Sequence, residues 1–320
     1  MERGWLASGS GTTIKIILRF QCIFPFQRKM NRVFFVCFIL FLACGRPSQK
    51  VEIRDDLFTE GETLGKVGKR LEEASGLVAS LNNVDHYWSH NDSGNPPEIF
   101  LIDQQASIKL ICRIEGIKNR DWEDIAIGAG PKEGMTYVYI GDIGDNRAEY
   151  PVKFIYRFEE PVFTGQTELI ISDYDTLIVK LPDAVRDSEA LTIDPISNDM
   201  ILVSKREDSV RVYQVNYYKD KHDTLLAQRI AILPLHNINA ADVSANGMEV
   251  LMKDYDRIYY WKRESTESIG ELLSKKPIRL PYRNGPQDEA IAWKRDGSGF
   301  FTLGETVKGN GGNLVLHKRK

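Results

Sequence analysis

The chain predicts an all-β fold, a β-propeller of four-stranded antiparallel blades, and three observations carry that expectation. A short phrase recurs five times, as Glu73-Ala74-Ser75-Gly76-Leu77, Asp121-Trp122-Glu123-Asp124-Ile125, Asp187-Ser188-Glu189-Ala190-Leu191, Asn239-Ala240-Ala241-Asp242-Val243 and Gln287-Asp288-Glu289-Ala290-Ile291. Its middle positions, 75, 123, 189, 241 and 289, are separated by 48, 66, 52 and 48 residues, a period of propeller blades rather than of smaller solenoid repeats. Between the phrases, β-branched and aromatic runs alternate with Gly, Asn, Asp and Pro, and long amphipathic helical patterns are nearly absent.

Each phrase opens an apolar run, and a second strand follows that ends in polar residues: Tyr87 to Asp92, Tyr137 to Asp142, Met200 to Lys205, Met248 to Lys253 and Gly299 to Gly304. In the second unit the strands read Asp124 to Ile127, Tyr137 to Ile140, Phe154 to Phe158 and Thr176 to Leu181. The third gives Ala190 to Ile193, Met200 to Ser204, Val210 to Val215 and Leu225 to Leu233. Four strands arranged radially leave only short, protected sheet edges. The last unit supplies Glu289 to Trp293, Gly299 to Leu303 and Asn313 to His317, then ends one strand short. Leu64 to Leu71 is free to complete it, so the expectation is five blades closed by an N-terminal strand. Six blades is the alternative, with a degenerate one in the longer insert between Glu159 and Asp187.

Ahead of the propeller, expected over 65 to 320, the residues read as three segments. Met30 starts a leader in which Asn31-Arg32 precedes an apolar stretch, Val33 to Leu42, too short to span a bilayer. Phe41-Leu42-Ala43-Cys44 resembles the end of a bacterial lipoprotein signal, which implies lipidation at Cys44, a cell-envelope location on the periplasmic or outer surface, and a membrane contact through the lipid alone. An ordinary secretory signal is the alternative. Residues 1–29 read as an upstream extension of the reading frame, and 45–64, polar and charged, as a tether.

Composition bounds the function. With 320 residues, 42% of them hydrophobic, the chain has material for a substantial core, and a net charge of −3 leaves no dominant basic surface for nucleic acid. Three of the four cysteines lie within the first 44 residues, so Cys112 has no intrachain partner in the body and is expected as a buried thiol. A monomer is expected.

Two polar sets share one face of such a fold, because the inner strand starts where its hairpin partner ends. The phrases put Glu123, Glu189 and Glu289 in equivalent positions, with Ser75 and Ala241 in the same slot and Asp124 and Asp242 in the next. Carboxylates converging on one axis raise one another's pKa unless a cation intervenes. An oxygen-only set suits Ca²⁺ rather than zinc. Ser75, Glu123, Glu189, Asp242 and Glu289 are therefore the candidate metal positions. Acids that cap strands by accepting backbone N–H groups between blades are the competing explanation.

The second set holds His90, Asp92, Asp142, Asp145, Lys205, Arg206, Lys253 and Glu305. Turn chemistry accounts for the Asp and Asn beside Gly, but not for the basic residues. Lys205 and Arg206 are the expected contacts to a small anionic ligand. His90 is a candidate general base or metal ligand, or else a hydrogen-bonded structural residue. No nucleophile elbow, Cys-x-x-Cys, phosphate loop or dinucleotide fingerprint is present.

Ser75-Gly76-Leu77, Trp88 to Gly94, Asp121 to Ala126, Tyr139 to Asn146 and Glu189 to Asp194 resemble a family of secreted bacterial β-propeller proteins of poorly defined function. More distantly, the repeated inner-strand acid and the count of five are similar to apyrase-type calcium-dependent nucleotidases, and the Ser-Gly-Leu and Glu-Ala-Leu openings to esterase-like phytase propellers. That resemblance implies Ca²⁺ ligands at Ser75, Glu123, Glu189 and Glu289, with Ala241 a departure that leaves Asp242 or Asn239 to compensate. Two functions follow: an anchored propeller that binds a small anionic ligand or an envelope protein on its axial face, or a Ca²⁺-dependent phosphoester hydrolase.

Overall fold

The computed structural model describes residues 53–216, 224–264, 267–283, 285 and 287–320. The upstream extension, the signal and Cys44 lie outside the described residues. Within them the chain is a five-bladed β-propeller with one short α-helix and one 3₁₀ turn.

Strand β1, Glu62–Lys66, waits for the last blade. Blade one runs through β2 (Ala74–Ala79), β3 (His86–Asn91), β4 (Glu98–Asp103) and β5 (Ile108–Ile114). Blade two starts with β6 (Trp122–Ala129), β7 (Thr136–Asp142) and β8 (Lys153–Glu159). The insert then places β9 (Glu168–Ile171) parallel against β5 of the preceding blade, and returns as β10 (Asp175–Lys180) to pair with β8. No sixth blade is made; the extra length extends blade one and finishes blade two.

Blade three is β11 (Ser188–Ile193), β12 (Met200–Ser204) and β13 (Val210–Val215), then β14 (Leu225–Leu226), which pairs with β10, and β15 (Gln228–Leu233), which pairs with β13. Blade four is β16 (Ala240–Val243), β17 (Glu249–Lys253) and β18 (Ile258–Lys262), the helix α1 (Ile269–Ser274) and β19 (Ile278–Leu280). A capping box starts α1: Ser268 accepts the amide of Glu271, whose carboxylate reaches back to the amide of Ser268. Blade five is β20 (Asp288–Trp293), β21 (Gly299–Gly304), a ribbon of β22 (Thr306–Val307) and β23 (Asn310–Gly311), and β24 (Asn313–Lys318), to which β1 adds antiparallel. The closure strand is Glu62–Lys66, a little earlier than expected, because Lys69–Leu71 turns as a 3₁₀ helix.

The inner strands β2, β6, β11, β16 and β20 adjoin in a ring, β20 meeting β2. Apolar side chains fill the five gaps between blades, one cluster to each gap, from Val78, Trp88 and Trp122 between blades one and two to Leu251, Tyr260 and Trp293 between four and five. Cys112 sits in the first of these clusters, fully buried, and burial pushes its thiol up to about 12.

The segment expected as a tether is packed in its described part. Phe58 is fully buried between blades four and five, edge-on to Phe300 at 5.1 Å, and Arg319 lies 4.7 Å over its ring. Polar composition averaged over twenty residues hides one aromatic anchor, which is enough to hold a strand-like run.

Candidate functional site: an acidic channel mouth

At the starts of the inner strands the pairing slips. Glu123, Glu189 and Glu289 are skipped where β6, β11 and β20 pair with their neighbours, so each is the extra residue of a bulge. A bulge frees one side chain from the alternation of the strand and re-aims it. In blade one the skipped residue is Gly76, not Ser75, and β16 pairs with no slip at all. Gly76 has φ +70°, and a Cβ there would lie 2.7 Å from Nε2 of His90 and 2.9 Å from the amide nitrogen of Ile125, so no other residue fits.

The three bulged glutamates meet other acids in overlapping trios: Asp92, Asp121 and Glu123; Glu123, Asp187 and Glu189; Asp92, Glu289 and Glu305. Within each trio one oxygen per residue lies within 4.8 Å of the others. Space for the first is made by Gly144, whose missing Cβ would fall 2.1 Å from Oε1 of Glu123 and 2.5 Å from Cγ of Asp121.

Crowding and burial raise these carboxyls. Glu123 is driven well up by burial and then by the charge of Glu189, which burial raises in turn. Burial, then Asp92 and Asp187, push Asp121 up to about 6, and burial, then Glu289 and Asp92, push Glu305 up to about 8. Asp92 is raised by burial in the same way.

Two cations and a phenol answer the acids on one side. Lys205 pairs with Glu189 at 2.7 Å and sits 5.3 Å over the ring of Tyr255; although burial opposes its charge, Glu189 keeps it firmly protonated. Arg206, half exposed, binds Asp187 through Nε at 2.5 Å. The hydroxyl of Tyr255 donates to Glu289 at 2.7 Å, which puts an oxygen from blade four beside the glutamate of blade five although Ala241 carries none.

Other expected site residues are elsewhere or otherwise engaged. The Ser75 hydroxyl donates to the carbonyl of Glu123 at 2.7 Å, a strap between blades. Asp242 belongs to no trio: its oxygens accept the amides of Val243 at 2.8 Å and Trp293 at 2.7 Å, and Asp124 does the same for Ile125 and Leu191. These two aspartates are blade staples, the strand-capping role. His90 is fully buried, its Nδ1 3.0 Å from the carbonyl oxygen of Asn91 and its ring edge-on to Trp122, and burial lowers it to about 4. A neutral imidazole sealed between blades is a packing residue rather than a base at the mouth.

Asp142 is buried under Arg120, 2.8 Å away. Asp145 holds the 145–150 turn through the amides of Glu149 and Tyr150 and pairs with buried Lys153 at 3.0 Å. Lys253 is fully buried, reaching Asn239 and the carbonyl of Asp288, with its pKa lowered by burial to about 8. Of the expected rim, Asp92, Lys205, Arg206 and Glu305 are at the mouth; Asp142, Asp145 and Lys253 support it from behind.

Asp121, Asp187 and Tyr255 complete the mouth beside the expected candidates. The signal was an Asp-x-Glu pattern shared by blades two and three. Two acids so spaced lie on one side of a strand, and the bulge at the glutamate brings them together.

No family model and no curated protein matches the chain. A solved structure similar to it is the crystal structure of a nidogen/laminin complex, with 11% identity, 78% of this chain and 84% of that chain covered, and a TM-score of 0.42.

Proposed function

We propose that the acidic mouth binds a divalent cation, Ca²⁺ by its chemistry, and that this anchored or secreted propeller uses the bound ion, with Arg206 beside it, to hold a small anionic ligand at the envelope. One observation carries the reading: seven carboxylates (Asp92, Asp121, Glu123, Asp187, Glu189, Glu289 and Glu305) overlap in trios whose oxygens lie within 4.8 Å, about twice a Ca²⁺–O distance of roughly 2.4 Å. The donors are all oxygen, which disfavours zinc and copper. Lys205 and Arg206 neutralise only two of the seven, and the raised carboxyls mark charge that protons or a cation must offset.

Calorimetric titration of the propeller with CaCl₂ tests the site. Saturable heat, lost in Glu189→Gln and Glu289→Gln, is expected; unchanged binding in both variants discards it. Release of phosphate from nucleotides on adding Ca²⁺ would make the ligand a substrate and the protein a phosphoester hydrolase. Anchoring through Cys44 is proposed with it, and labelled lipid that still attaches to Cys44→Ser would exclude that residue.

A further inference from the structure

We propose that the opposite mouth of the channel binds a small amphiphile with an apolar body and a carboxylate head, independently of the acidic mouth. A cavity of about 360 Å³ opens where the five inner strands end, within the size range of small-molecule sites, roughly 300–1,000 Å³. Every blade contributes to its wall: Val78, Ile127, Ile193, Val243 and Trp293. The sides are thus mainly aliphatic and aromatic, and a cavity of that composition favours an apolar occupant. At the rim Met135 remains 42% exposed, extending the apolar surface outward.

Two charged residues set the orientation of the guest. Asp242 lines the cavity, but the amides of Val243 and Trp293 already occupy its carboxylate, so this residue gives an incoming anion no cationic partner. Arg295 stands at the mouth. Its Nη1 is fixed by the carbonyl of Leu81 at 2.6 Å, while Nε and Nη2 carry no hydrogen bond and the guanidinium no ion pair among the described residues. The neighbouring Lys294 is instead tied to Ser298 and Asp296. A guanidinium held by one nitrogen presents its Nε–Nη2 edge as a fork, and a planar carboxylate meets that fork with two parallel bonds. The tail therefore enters and the head stays at Arg295.

Octanoate, below its micellar range, is the probe, titrated into the intact propeller by calorimetry and by ligand-observed NMR. One equivalent is expected to bind, with 1-octanol weaker by about tenfold, the value of one charge-assisted contact. Arg295→Gln, an exposed replacement, is expected to remove that preference while retaining octanol binding. Ala245→Trp, placed at the exposed rim, is expected to block both ligands without lowering Tm. Glu189→Gln leaves octanoate binding unchanged, which separates this site from the cation site. Absence of saturable octanoate binding to the unmodified protein, octanol bound as tightly as octanoate, or binding that survives Ala245→Trp overturns the proposal. Should Ala245→Trp fail to fold, the octanoate-to-octanol ratio in Arg295→Gln decides alone.

Discussion

The carboxylate of Asp242 accepts the backbone amide of Trp293 at 2.7 Å, so a side chain of blade four ends a hydrogen bond that begins in the inner strand of blade five. Asp124 repeats the arrangement from blade two to Leu191 of blade three. Both aspartates also take the amide of the following residue. Burial raises Asp242 to about 7, and the two amide bonds act against that rise.

Asp242→Ala leaves the amides of Val243 and Trp293 without this acceptor in a buried setting. An unsatisfied buried donor costs roughly 1–3 kcal/mol, so a loss of about 2–4 kcal/mol in urea unfolding is expected. Calcium affinity is expected to be unchanged. A parallel loss of calcium binding would return Asp242 to the metal set.

Stability should fall with rising pH between about 6.5 and 8 when no cation is present. Burial and neighbouring charge raise Glu305 to about 8 and Asp242 to about 7, so in this window the folded chain keeps protons that the unfolded chain has already lost. Where the native state binds more protons, stability declines as pH increases. His90 and His317, lowered to about 4 by burial, oppose this trend while their unfolded imidazoles still hold protons, an effect that fades above about pH 7.5. Lys253, lowered to about 8, acts in the opposite sense as pH approaches 8, so the decline is expected to be steepest below that value. Chemical denaturation at pH 6.5, 7.2 and 8 reads the slope. Calcium should flatten it, and a flat profile without metal would contradict the raised carboxyls.

Blade number and closure were legible because both follow from period: five phrases and a last unit short by one strand can close in only a few ways. The site was legible in part. Glu123, Glu189 and Glu289 stand out as repeated acids, but the bulges that aim them are set by pairing with the next strand, which a single sequence does not record. The same limit merged Ser75 with the glutamates, when the position that bulges is Gly76. Lys253 and His90 looked like rim residues because strand ends are polar; burial between blades, a property of the closed ring, decides otherwise.

Removing charge from the mouth should trade binding for stability. Glu123 is buried against Glu189, and its charged form is disfavoured by burial and by that neighbour. Glu123→Gln is therefore expected to raise Tm in chelator at pH 8 and to abolish the upward shift that calcium gives the unmodified protein, a shift of about 2.7 kcal/mol at a hundredfold excess over Kd. A variant destabilised in chelator would mean that the carboxylate is needed for the fold itself.

Phe58 offers the sharpest test of where the folded unit starts. Its ring is fully buried against Tyr260, Trp293 and Phe300, and the adjacent Thr59 is held by the backbone of Lys318 at 2.8 Å. Truncating a buried Phe costs roughly 3–5 kcal/mol, so Phe58→Ala should lower stability by about that amount. A chain begun at residue 61 keeps the closing strand Glu62–Lys66 but lacks this anchor, and it should be destabilised to a similar degree. A chain begun at residue 53 should be as stable as one that keeps the residues before it. If the shorter chain were as stable as the longer one, ring closure through Glu62–Lys66 would suffice, and the aromatic contact between blades four and five would be dispensable.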